Sequence, residues 1–312
     1  METTIIKDLS NEEYHRGEKY RDYISSSQLR KYLVSPAEYK RSLEEPNETT
    51  PAMKLGTMCH DALEFIHNTG DFSLSAWHDS FAVFDAPINP TSGAPYGATT
   101  KKYQEAYQEF LASVGDKQIA SKEELDIAHA IARSIERDPT MSRVILKGEP
   151  EVSHFLNYDG VGFKTRPDLE TNKIIFDYKS ISDKLTKDKL MRRIVDSGYD
   201  ISAAFYQWMC HEQTGEWKSF YIVWLQTIPP YDICICSLNG LAYTVVDGMM
   251  LNDQTHGARQ FEILRDMHIR CSQEDRWPGA DIYVRPDEKG RRIMEFDVPA
   301  WITNSVVEPY FL

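Results

Sequence analysis

The chain changes hydrophobic period at about its midpoint. Up to residue 150, apolar positions recur every three or four residues, the spacing of helices with one buried face. Residues 23–46, "YISSSQLRKYLVSPAEYKRSLEEP", predict a helix entered through serine, with a break at Ser35-Pro36. In "MKLGTMCHDALEFIHN" (53–68), Leu55, Met58, Cys59, Ala62, Leu63 and Phe65 fall at helical spacing. Residues 101–115 and 121–139 are amphipathic, and the second stretch opens on the capping-box pattern Ser-Lys-Glu-Glu. Between them and the preceding helix, "FDAPINPTSGAPYGATT" (84–100) predicts a long loop, a feature often tied to function.

From Glu151 the period falls to two. "EVSHFLNYDGVGFKTRPDLETNKIIFDYKSI" predicts three short strands joined at Asp159-Gly160 and Thr171-Asn172. A basic segment (182–198), a helix (200–215) ending at Gly215, two strands around Pro229-Pro230 and a last helix (257–275) follow. This order predicts an α/β fold with a central mixed β-sheet flanked by helices. It also predicts an N-terminal extension (1–22), one domain (23–275) and a C-terminal tail (276–312), which carries a candidate small hairpin over 280–302.

Composition narrows the function classes. With 312 residues, 41% of them hydrophobic and 12% aromatic, the chain can build a substantial core. No run of eighteen apolar residues and no apolar leader is present, so the expectation is a cytoplasmic protein without a membrane partner. Five scattered cysteines imply no disulfide framework, and an iron–sulfur cluster would need four of them to converge. Cys234 and Cys236 alternate with isoleucines, which places both thiols on one strand face as small hydrophobes. The net charge of −13 argues against a generally adhesive nucleic-acid binder but permits a local basic groove.

Candidate chemistry concentrates in the period-two region. Asp177 and Lys179, two apart on a strand, share a face, and they follow the apolar run Lys173-Ile-Ile-Phe. Charge on an inner strand is costly unless it binds something. The turn before them brings Asp168 alongside. Two carboxylates and an ammonium at one spot suit phosphodiester hydrolysis assisted by Mg²⁺, with Mn²⁺ as a substitute. The competing reading makes Asp168 and Glu170 turn decoration and Asp177–Lys179 a solvated pair. Glu151, at the start of the first strand, could supply another carboxylate near the metal, with an exposed strand end as the simpler reading. Lys184, Lys187, Lys189, Arg192 and Arg193 follow Lys179 and could neutralise DNA phosphates. Arg30, Lys31 and Arg166 could meet a terminal phosphate.

"RPD" (166–168), a short hairpin and "DYK" (177–179) resemble the signature of the PD-(D/E)xK nuclease superfamily. Three more segments resemble its RecE-type branch, the exodeoxyribonuclease VIII-like enzymes of phages and prophages. They are "ISSSQLRKYLVSPAEYK" (24–40), "LGTMCHDALEF" (55–65) and "YDISAAFYQWM" (199–209). The resemblance spans roughly residues 23 to 225 and implies a restriction-endonuclease-like core. It implies His60, Asp168 and Asp177 as metal ligands and Lys179 as the catalytic lysine. Tyr206 takes the tyrosine position of the family's Gln-x-x-x-Tyr pattern, or else is a core aromatic beside Phe205 and Trp208. Ser202 stands where the glutamine belongs. The activity implied is degradation of linear duplex DNA from 5′ ends, leaving a 3′ strand for recombination. The implied assembly is a homo-oligomeric ring acting with a RecT-like annealing protein in a bacterial host cytoplasm. Three alternatives stay open: a RecB- or Cas4-like nuclease with an iron–sulfur cluster, a non-catalytic acidic DNA mimic or inhibitor, and a structural phage protein binding Ca²⁺.

Overall fold

Serine and threonine caps set the helices close to where the spacing places them. Ser121 accepts from the Glu124 N–H while the Glu124 carboxylate takes the Ser121 N–H, and this reciprocal cap starts the helix Lys122–Arg137. Thr50 caps Pro51–Thr69, and Gly70, at φ 71°, ends it in the left-handed conformation that glycine adopts freely. The computed structural model describes residues 2–44 and 49–293. The stretch predicted helical over 23–46 does break at Ser35-Pro36, and the part before the break is itself divided: Ser26–Leu29, a 3₁₀ turn Arg30–Leu33, and then Pro36–Ser42. Pro36 lacks the N–H needed to continue a helix and instead opens the next one, under the Ser35 cap.

The central sheet has five strands in the order Ile233–Ser237, Ser219–Gln226, Ile174–Ile181, Leu169–Glu170, Glu149–Pro150. It is mixed: Ile174–Ile181 runs parallel to Ser219–Gln226, and the other pairs are antiparallel. One face packs against the helices Tyr199–Thr214 and His256–Glu274, with Phe205, Trp208 and Phe261 at its centre. The other packs against Pro51–Thr69 and Lys122–Arg137 through Leu63, Ile66, Leu125 and Ile131. Each such fully buried aliphatic side chain contributes about 1.5–3 kcal/mol.

The predicted three-strand meander divides between two sheets. Ser153–Tyr158 and Val161–Thr165 form an antiparallel three-stranded sheet with Glu2–Ile6. Pro167, without an N–H to donate, interrupts the ladder, and the chain crosses to the five-stranded sheet at Leu169. Asp168 therefore sits in the crossing turn and not on a strand. The N-terminal segment is packed onto the domain: Tyr20 stacks on Phe155 at 3.6 Å, and Tyr14 lies 5.8 Å from the same ring.

A hairpin not anticipated from the sequence, Thr244–Val246 with Met249–Asn252, turns at Asp247-Gly248, both at positive φ. In the tail, Ala280–Tyr283 is a 3₁₀ turn and no strand occurs among the described residues 276–293; the remainder of the predicted hairpin lies outside the described residues. No helix among the described residues is long and apolar enough to cross a membrane.

Candidate active site

Strand alternation places Asp177 and Lys179 on one face of Ile174–Ile181, in register with Ile222 and Trp224 of the parallel neighbour. The Lys179 ammonium lies 2.5 Å from Asp177 Oδ2. Asp168 is fixed from the crossing turn, its Oδ2 accepting the Tyr178 backbone N–H at 2.5 Å. His60, from the Pro51–Thr69 helix, brings Nδ1 to 3.2 Å from Asp168 Oδ1. All four residues line a cleft of about 640 Å³.

The structure adds Glu151 to this group. Its carboxylate converges with His60 and Asp168, their ligand atoms lying within 4.8 Å of one another. The expectation of an exposed strand end is thereby corrected: the strand begins only at Ser153, and a left-handed φ of 50° at Glu151 accompanies the inward turn of the side chain. A non-glycine residue in that conformation carries strain of about 1–3 kcal/mol, which the surroundings must sustain. Asp61, Glu64 and Tyr199 also line the cleft, as does the N-terminal segment from Asp8 to His15. Glu64 stands one turn beyond His60 on the same helix, a spacing that sequence could have exposed.

Ionisation in the cleft is mutually enforced. Burial lifts the Glu151 carboxyl up to about 8, and the charge of Asp168 reinforces the effect. Burial acts the same way on Asp168, but His60, then Lys179 and the Tyr178 N–H, outweigh it and hold this carboxyl below its ordinary value. Asp177 is raised, burial outweighing the attraction of Lys179. His60 and Lys179 are raised in turn, because the neighbouring aspartates outweigh their burial.

Glu151 accordingly holds a proton at neutral pH while unfolded glutamates have lost theirs. Its folded value is raised, so the stability it contributes is complete below its unfolded value and lost as pH rises toward about 8. Thermal melts of metal-free protein should show Glu151→Gln gaining on the wild type between pH 5 and pH 8 by an amount on the order of a few kcal/mol. A difference independent of pH would contradict the placement of this carboxyl.

The other sequence-predicted residues divide. Arg30 lines the cleft; its guanidinium donates to the Ser197 carbonyl and lies over the Tyr199 ring at 5.4 Å. Ser202 lines it too, with a buried hydroxyl that has no hydrogen-bond partner. Tyr206 serves both readings: it lines the cleft, donates to the Arg166 carbonyl at 3.4 Å, and packs edge-on against Phe220. Arg166 reaches the cleft with most of its donors occupied by Ser153, Asn11 and the Leu9 carbonyl. It thus ties the N-terminal segment to the rim. Lys31 is half-buried in the 3₁₀ turn, outside the cleft lining. Lys184, Lys187, Lys189, Arg192 and Arg193 are exposed on and before the helix Lys187–Asp196, away from the cleft wall, and Lys189 pairs with Asp183.

The donor set suits a hard divalent cation. Carboxylate oxygens dominate it, an imidazole adds one nitrogen, and burial together with the Asp168 charge keeps Glu151 protonated although Arg166 lies 3.8 Å away. His60, Asp168 and Glu151 would hold such an ion, with Asp177 across the cleft beside Lys179.

No curated protein matches the chain. A crystal structure of a "Putative exonuclease" from Eubacterium rectale is similar to it in fold, with a TM-score of 0.53 at 16% identity, covering 96% of this chain and 98% of that one. A family model described as "PDDEXK-like domain of unknown function (DUF3799)" matches residues 25–278, a span that takes in His60, Glu151, Asp168, Asp177 and Lys179. The chain therefore belongs to this PDDEXK-like family.

Proposed function

We propose that the protein is a Mg²⁺-dependent exodeoxyribonuclease that degrades linear duplex DNA from 5′ ends and leaves a 3′ single strand for annealing-based recombination. The observation that carries the reading is the meeting of Asp168, His60, Asp177 and Lys179 in one cleft. Membership of a PDDEXK-like family and the name of the structural neighbour support it.

A bound divalent ion would supply charge neutralisation at the scissile phosphate and acidify a coordinated water. The protein supplies the rest. The Tyr178 N–H and His60 fix both oxygens of Asp168, so the ligand is oriented before substrate arrives. Asp177 holds the Lys179 ammonium in place, where it can donate to the phosphate oxygen on which charge develops. Arg30 and the unpartnered Ser202 hydroxyl face the same space and can hold a backbone phosphate.

With a net charge of −13, DNA must be taken up locally. The basic run from Lys184 to Arg193 would serve that purpose, and a homo-oligomeric ring would enclose the duplex. A RecT-like annealing protein is the partner that such a product requires.

Linear duplexes labelled at either end, and closed circles, test the reading. We expect Mg²⁺-dependent loss of the 5′ label, none in EDTA, and intact circles. Circles cut as fast as linear DNA would replace the exonuclease with an endonuclease.

A further inference from the structure

The strand Ile233–Ser237 is an edge of the central sheet and pairs on one side only, antiparallel to Ser219–Gln226. The Gln226 N–H donates to Asp232 and the Leu238 N–H to Phe220, which sets the alternation of the ladder. Cys234 and Cys236 thus spend their backbone groups on Trp224 and Ile222. Those of Ile233, Ile235 and Ser237 face outward, and no described strand takes them. Edge strands are normally guarded by charge, proline or a bulge. Ile-Cys-Ile-Cys-Ser has none of these, and its register is unbroken.

The two thiols project to one face, half-buried, with their sulfurs 3.7 Å apart. That matches the edge of a tetrahedral zinc–thiolate site, about 3.8 Å for Zn–S bonds of about 2.3 Å. Among the described residues no third donor completes the set, and Cys59, Cys210 and Cys271 are buried elsewhere. Half a site is present.

A second copy supplies the other half. Antiparallel pairing centred on Ile235 uses the outward groups: Ile235 meets Ile235 of the copy, and Ile233 meets its Ser237. Cys234 then stands opposite Cys236 of the copy in the close, non-bonded position, about 4.5 Å between Cα atoms. All four thiols fall on one face, and no charged residue lies within the paired segment. We propose that the chain dimerises edge to edge through Ile233–Ser237, with Cys234 and Cys236 of both copies binding one Zn²⁺ at the two-fold axis. Binding releases four thiol protons to solvent and forms four Zn–S bonds. Lys179, Trp224 and Cys234 are in register across three strands, so the dimer would fix the spacing of two catalytic clefts on one continuous sheet. The inference does not depend on the nuclease reading.

The full chain, expressed with zinc and purified without chelator, should carry roughly half a zinc per chain by elemental analysis and run as a dimer, or as a ring assembled from such dimers, by native mass spectrometry. The Co²⁺ form should show tetrahedral thiolate absorption. The double variant Cys234→Ser/Cys236→Ser should lose the zinc and weaken the dimer at least about tenfold. Ile235→Pro, which removes only an outward N–H, should yield a folded, zinc-free monomer. One zinc per monomer, iron in place of zinc, zinc retained by the double variant, or a zinc-free wild type would each overturn the proposal. If the variants fail to fold, the wild-type stoichiometry decides alone.

Discussion

Lys179→Ala is expected to reduce single-turnover cleavage about 10²–10³-fold, the usual cost of removing one positioned donor to developing charge. Substrate and metal affinity should change much less, because the ammonium acts in the transition state and its loss spares the His60–Asp168 pair. The variant also frees Asp177 from its 2.5 Å partner while burial keeps that carboxyl raised. Glutamine, which restores a donor without charge, should recover only part of the rate. Cleavage unchanged in Lys179→Ala would remove the lysine from the mechanism, whatever became of the rest of the site.

Asp168→Asn should be as damaging, by a different route. The amide oxygen can still accept the Tyr178 N–H, so the crossing turn should hold. The charge that attracts both a cation and the His60 proton is gone. Calorimetric titration with Mn²⁺ should show affinity lower by at least about tenfold, and cleavage should fall by at least about 10³-fold. Metal-free protein should melt lower than the wild type at neutral pH, since the fold holds the Asp168 carboxyl below its ordinary value and so draws stability from its charge. A variant that bound Mn²⁺ normally yet failed to cleave would move Asp168 from ligand to some other role.

Helices were legible in the sequence because their determinants are local. The capping box at Ser121, the proline after Ser35 and the glycine at 215 each act within four residues. Asp177 and Lys179 were equally legible: a period of two decides which residues share a face, and the apolar run marks the strand as inner. The division of the meander was not, because strand length and pattern do not say which sheet a strand joins. Pro167 held that information but was absorbed into the motif it interrupts. Glu151 was only half legible for a related reason. Nothing in "GEPEVSHF" signals a left-handed residue, and only the folded chain brings that carboxylate beside residues 60 and 168. The hairpin at Asp247-Gly248 carried an ordinary turn signal whose flanking strands, three and four residues long, are too short to establish a period.

A Mn²⁺-soaked crystal, read by anomalous scattering, bears most directly on the central claim that these side chains jointly hold a divalent ion within reach of Lys179. The account requires a peak bonded to Asp168 and His60, with Glu151 or Asp177 completing the protein ligands and the Lys179 amine facing the open coordination positions. An ion bound to Asp168 with His60 and both other carboxylates turned away, or no ion in protein that cleaves DNA under the same conditions, would contradict it.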